Sequence, residues 1–190
     1  MSNTCQLSNN TINYVKCYQC ILNTMIEKMT SVCFTDSISE NFITQMIPHH
    51  RAAIAMSENL LRTTICIPLQ NIAQNIICSQ KESICNMKAI CPGCSCLRNT
   101  PQALNCYQRN NECILRNMFR EMQSACTDNC IDANFMREMI PHHRGAILMA
   151  QNALKFCICP ELKPILESII DSQEKGVREM QQLLREITQN

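Results

Sequence analysis

Two histidine pairs, His49–His50 and His142–His143, each sit between methionines in nearly the same string, FITQMIPHHRAAIAM at Phe42 to Met56 and FMREMIPHHRGAILM at Phe135 to Met149. Imidazole and thioether are borderline and soft metal ligands, so each string offers a candidate set: Met46, His49, His50 and Met56, then Met139, His142, His143 and Met149. A lone histidine on such a face would more often be a satisfied core or cap residue. Two adjacent pairs, both bracketed by methionine, favour metal contact instead.

The agreement extends beyond the strings at the same offset of 93 positions. Met25 faces Met118, Met29 faces Met122, Gln80 faces Gln173 and Met87 faces Met180. Ten of the 12 methionines are therefore paired across the repeat, with Met1 and Met136 left over. Methionine normally serves as a replaceable filler of irregular gaps, which does not require matched positions in two diverged copies.

Cysteine supplies the remaining soft ligands, 16 in 190 residues. Such a density in a small secreted chain suggests a disulfide scaffold, and in a cytosolic chain metal-binding or redox-active thiols. Cys20 pairs with Cys113 and Cys33 with Cys126 across the repeat, while Cys17 lies three positions from Cys20, close enough on one helix to share a thiophilic ion. Cys91, Cys94 and Cys96 crowd the segment KAICPGCSC, where a soft-metal site or an interhelix disulfide is expected ahead of thioredoxin-like redox catalysis. Thiols at helical spacing of three, four or seven could line a bundle interior, or be buried simply as small hydrophobes.

These ligands need helices to hold them. Three glycines, no tryptophan and abundant Ile, Leu, Met, Gln, Asn and Glu favour helix over strand. After a frayed polar first dozen residues, helices are expected over 12–33, from the Ser37–Glu40 capping box to about 62, from Pro68 through Met87, and over 103–126, 131–156 and 161–187. Met46, His49, Ala53 and Met56 share one stripe, with His50 at its edge, and Pro48 inside the pattern predicts a kink or an irregular turn. Gln80 is placed to orient a histidine through its second ring nitrogen. The chain is thus expected to form one all-α domain over 1–190, with repeats at 12–90 and 103–188 joined by a Cys/Pro/Gly linker at 91–102.

The paired block F..MIPHH..A..MA.N, present as FMREMIPHHRGAILMAQN and followed by SQEKGVREM, resembles the DUF305 family. The resemblance covers the chain from about Thr35 to Ile187. It implies a ferritin-like fold of the four-helix-bundle type with an internal pseudo-twofold duplication, here with about six main helices, and a relationship to bacterial periplasmic copper-binding proteins. It also implies that the two Met/His blocks correspond to the family's metal-site block. The chain departs from the family pattern in its cysteine content, in lacking a tryptophan near MQQLLREI, and in placing Lys81 opposite Glu174.

Thioethers and thiolates select Cu(I) over hard cations, and ordinary zinc sites have no reason to recruit methionine, so copper is expected as Cu(I) with zinc disfavoured. A di-iron site would need Glu-x-x-His elements, and none is present. With 17 basic and 16 acidic residues and no charge block, capture of nucleic acid or an anionic membrane is not implied. No run of 18 apolar residues suggests a membrane span, and the N-terminus shows no export signal, which favours the cytoplasm. Without a nucleophile–base–orienter set or a phosphate cradle, binding is expected rather than turnover. The expected role is copper storage, buffering or sequestration. A self-associating coat or shell cross-linked by disulfides is the alternative.

Overall fold

The computed structural model describes residues 6–94 and 96–189, and every regular element among them is an α-helix. Helices α1 (Asn9–Thr30), α2 (Ile38–Leu60) and α3 (Ile67–Cys94) form the first half, and α4 (Pro101–Gln123), α5 (Ile131–Ala153) and α6 (Leu162–Gln189) the second. Helices α2 and α5 each contain 23 residues and α3 and α6 each 28, the matched lengths that a duplication leaves. Helices α2, α3, α6 and α5 pack in a closed ring, with α1 laid against α2 and α4 against α5. The all-α, duplicated architecture is as expected. A four-helix bundle describes only the ring, because each half carries a third helix whose apolar stripe is also buried against it.

Local chemistry fixes the helix starts. The Ser8, Ser37 and Thr100 hydroxyls accept from the backbone N–H groups of Thr11, Glu40 and Ala103, satisfying donors that no earlier turn can reach. Pro101 follows its cap at the first helical turn, where a missing N–H costs nothing. The first dozen residues are not all frayed as expected: Ser8 N–H donates to Asn129 Oδ1, Asn129 Nδ2 donates to the Gln6 carbonyl, and α1 already begins at Asn9. Residues 1–5 lie outside the described residues.

The linker is also shorter than expected. Helix α3 continues through Cys91, Pro92 and Gly93 to Cys94, because its last turn is tied down from outside. Ser37 Oγ donates to the Cys94 carbonyl at 3.0 Å, and a disulfide joins Cys94 to Cys159 across a sequence separation of 65. Helices α2 and α5 likewise run on through Pro48 and Pro141. Each proline withholds one ladder N–H, from the carbonyls of Thr44 and Arg137 respectively, just before a histidine pair.

The methionines make up much of the core. Met25, Met29, Met46, Met56, Met87, Met118, Met122, Met139, Met149 and Met180 are all at most 3 % exposed, packed with Phe42, Phe135, Tyr107, Leu69 and Leu166. No described helix is long and apolar enough to cross a membrane.

Candidate metal centre

Placing the histidine pairs on α2 and α5, which face each other in the ring, brings all four imidazoles into the interior. His49, His50 and His142 are fully buried and His143 is 2 % exposed. The rings of His49 and His142 stack with centroids 3.6 Å apart and an interplanar angle of 28°. Each also lies about 6 Å from the second histidine of its own pair, so the four rings form one continuous group.

The hydrogen bonds determine which nitrogens are free. His142 Nε2 lies 3.2 Å from the His49 carbonyl, which can only accept, so Nε2 carries the proton and the neutral ring presents its Nδ1 lone pair. His50 Nε2 meets Ser83 Oγ at 3.1 Å. Both nitrogens of His49 and the Nδ1 atoms of His50, His142 and His143 are buried without a hydrogen-bond partner. Leaving a polar atom so placed costs on the order of 1–3 kcal/mol each.

Burial disfavours imidazolium, and the neighbouring imidazoles add to it. Burial, then His142, lowers the pKa of His50 to about 3, while burial lowers that of His142 to about 4. His49 and His143 are pushed well down by the same causes. At neutral pH the cluster is uncharged, the protonation state in which imidazole binds a metal. Among the described residues, however, no three His, Cys, Asp or Glu side chains are arranged to hold a single ion.

The two histidine pairs are supported differently. Positions 83 and 176 are copies in the repeat, yet Ser83 hydrogen bonds His50, whereas Gly176 leaves room for His143 to pack onto the α6 backbone. A Cβ at 176 would stand 3.0 Å from His143 Cδ2 and 3.1 Å from Nε2. Comparing the repeats position by position could have drawn attention to these two residues. Gln80, expected to orient a histidine, makes no hydrogen bond with either of its amide atoms, and Gln173 Oε1 is equally unpartnered.

The thiols are elsewhere. Every described free cysteine is exposed or only partly buried: Cys20, Cys33, Cys96, Cys113 and Cys126 are exposed, and Cys17 and Cys91 half-buried. Neither a thiol-lined interior nor simple burial describes the free cysteines among the described residues, because the inward stripes are already filled by Met, Ile and Leu and the cysteines fall beside them. In the CPGC segment Cys94 is fully buried and spent in a disulfide with Cys159, which lies in the loop between α5 and α6. The expected disulfide therefore forms between a helix end and a loop rather than between helices, and it removes Cys94 from the candidate metal ligands. Burial, then the Glu40 carboxylate, raises the Cys91 pKa.

A second buried group was not anticipated. Tyr14 OH donates to Glu138 Oε2 at 2.6 Å, and Tyr18 OH to the Met122 carbonyl. Burial raises the Glu138 pKa to about 8, against a lowering by the Tyr14 hydrogen bond. In the other half the position of Glu138 is taken by Gln45, which donates to the Met29 carbonyl and accepts from Asn111. The acid is thus peculiar to one repeat.

The profile of the family described as "Domain of unknown function (DUF305)" matches residues 19–91 and again 100–184. The chain belongs to the DUF305 family. Each match spans one three-helix half, so the duplication is the family's own unit repeated. Among solved DUF305-like structures, CopM in an Ag-bound form is 28 % identical with a TM-score of 0.59, the match covering 82 % of this chain and 98 % of that one. CopM in its Cu(II)-bound form is 27 % identical with a TM-score of 0.58, covering 78 % and 96 %. A DUF305 fragment from Deinococcus radiodurans shares the fold at 22 % identity and a TM-score of 0.57, covering 78 % and 96 %. A comparison with curated protein sequences finds no match.

Proposed function

We propose that the chain binds copper as cargo, mainly as Cu(I), and stores, buffers or sequesters it through the methionines and histidines of its core. The observation that carries this reading is the set of five buried ring nitrogens without partners on His49, His50, His142 and His143. They belong to a neutral cluster on the same helices as Met46, Met56, Met139 and Met149. A buried lone pair with no donor is costly in the empty protein and favourable once a cation accepts it, and thioethers in the same core select the soft ion. The Ag-bound and Cu(II)-bound forms of CopM support the choice of metal. Met25, Met29, Met87, Met118, Met122 and Met180 extend the thioether supply, while the surface thiols add separate capacity for Cu(I).

A second reading rests on those same exposed thiols, which could cross-link copies of the chain into a coat or shell. One experiment separates the two. The chain is expressed anaerobically and kept reduced, and bound metals are measured by elemental analysis beside a free-thiol count. Several copper ions per chain support the store. No copper uptake, with thiols consumed between chains on oxidation, supports the cross-linked assembly.

A further inference from the structure

A polar funnel opens on the seam where α3 and α6 pack together, a cavity of about 100 Å³. Its mouth carries the exposed Ser79, Glu82 and Ser172, and its floor the buried Gln80, Gln173 and His50. Ser79 with Ser172 and Gln80 with Gln173 are repeat copies separated by the same 93 positions as His49 and His142, so the funnel lies where the two halves present matching residues to each other. Gln80 and Gln173 are only 1 % and 2 % exposed, yet both Gln80 amide atoms and Gln173 Oε1 lack a hydrogen-bond partner. Buried amides are normally satisfied, so the Gln80 and Gln173 amide oxygens are free to meet an occupant of the funnel, with water on the Gln80 Nε2 donor.

The lining decides the sign and hardness of that occupant. It includes one carboxylate, Glu82, and none of the described lining residues is a lysine or arginine, which favours a cation over an anion. None is a methionine or cysteine either. Carbonyl, hydroxyl and carboxylate oxygens with a single imidazole suit the harder, divalent state of copper, whereas the thioether-rich core suits the monovalent one. About 100 Å³ is room for several water-sized groups, so the ion can keep part of its hydration.

We infer that the α3–α6 funnel is a separate Cu(II) docking site, formed by the Gln80 and Gln173 amide oxygens, Glu82 and the His50 imidazole, that abuts the histidine cluster through His50. The inference rests on the copper reading above but concerns a different oxidation state and, His50 apart, different ligands.

The test uses the full chain with its exposed thiols alkylated, so that they neither reduce nor bind Cu(II). Cu(II) binding is followed by electron paramagnetic resonance, and Ag(I) binding, as the monovalent probe, by equilibrium dialysis. In Gln80→Leu/Gln173→Leu the Cu(II) stoichiometry should fall by one per chain with Ag(I) binding unchanged. Glu82→Gln, at an exposed position, should weaken that same Cu(II) about tenfold or more with helix content unchanged. Cu(II) binding unchanged in both variants overturns the docking site, as does joint loss of Cu(II) and Ag(I) in a folded double variant. A wild-type chain that binds Ag(I) but no Cu(II) overturns the docking site alone, whereas one that binds neither ion overturns the copper reading with it.

Discussion

His49 and His142, the same residue in two copies of one repeat, stack face to face at 3.6 Å in the interior, and the His142 ring donates to the backbone carbonyl of its partner. Two imidazolium ions could not be held so close out of water, so the fold requires neutral rings. The halves of the protein are joined through groups whose lone pairs are available to a metal.

Neutral buried histidines make the metal-free protein sensitive to acid. Their folded pKa values are depressed, to about 3 for His50 and about 4 for His142, below the ordinary value of 6.5. The unfolded chain therefore takes up protons first, and stability present above pH 6.5 is lost progressively as pH falls toward 4 and 3. Urea midpoints of the metal-free chain across pH 4 to 7 should decline steadily toward acid. A flat profile would mean that the four rings are not buried neutral.

Glu138 acts in the opposite direction. Its folded pKa is raised to about 8 from 4.5, so the folded chain retains a proton that the unfolded chain has released. Stability from the protonated form is complete below pH 4.5 and is lost as pH rises through 8. Glu138→Gln, which installs the residue that the first repeat already carries as Gln45, should remove this alkaline decline. The two stability curves should therefore diverge between pH 5 and 8, with the variant on top at pH 8; parallel curves would show that Glu138 is already ionised in the fold.

Gly176 is a packing requirement. An added methyl at 3.0–3.1 Å from the His143 ring would force the imidazole to move, since the backbone of α6 cannot give way as readily as a side chain. Gly176→Ala should destabilise by roughly 1–3 kcal/mol. It should also weaken Ag(I) binding in the second half. At Gly145 an added methyl would overlap the buried Met118 side chain more deeply, meeting not only Sδ but also Cγ at 2.7 Å and Cβ at 3.2 Å, so Gly145→Ala should cost more than Gly176→Ala. Equal losses at the two positions would contradict this difference.

The Cys94–Cys159 bond closes a loop of 65 positions that spans both halves. Constraining the unfolded chain in this way is worth roughly 2–4 kcal/mol, so Cys94→Ser should lower the thermal midpoint by several degrees. Reductant should lower the wild-type midpoint and leave the variant unchanged. An insensitive wild type would show that the pair is reduced in solution.

The repeat, the six helices and the inward face of each were legible because methionine, histidine and isoleucine recur at helical spacing in both copies. Caps such as Ser37 followed the same local rules. What the sequence concealed depends on contacts between distant segments. Pro92 and Gly93 read as linker, because the Ser37 hydroxyl and Cys159 that secure the end of α3 come from elsewhere in the chain. The cysteines share helical spacing with the core, yet a shift of one position around a helix moves a side chain by about 100° and out to the surface. Tyr14 and Glu138, 124 positions apart, could not have been paired from local pattern at all.

The central claim is that the buried Met/His core holds a monovalent ion independently of the surface thiols. With thiols alkylated, Ag(I) bound per folded chain should be measured for the wild type and for His49→Leu/His142→Leu, with helix content checked by circular dichroism. At least one ion fewer in a variant of unchanged helicity is the predicted result. Unchanged stoichiometry and affinity in the folded variant would contradict the claim.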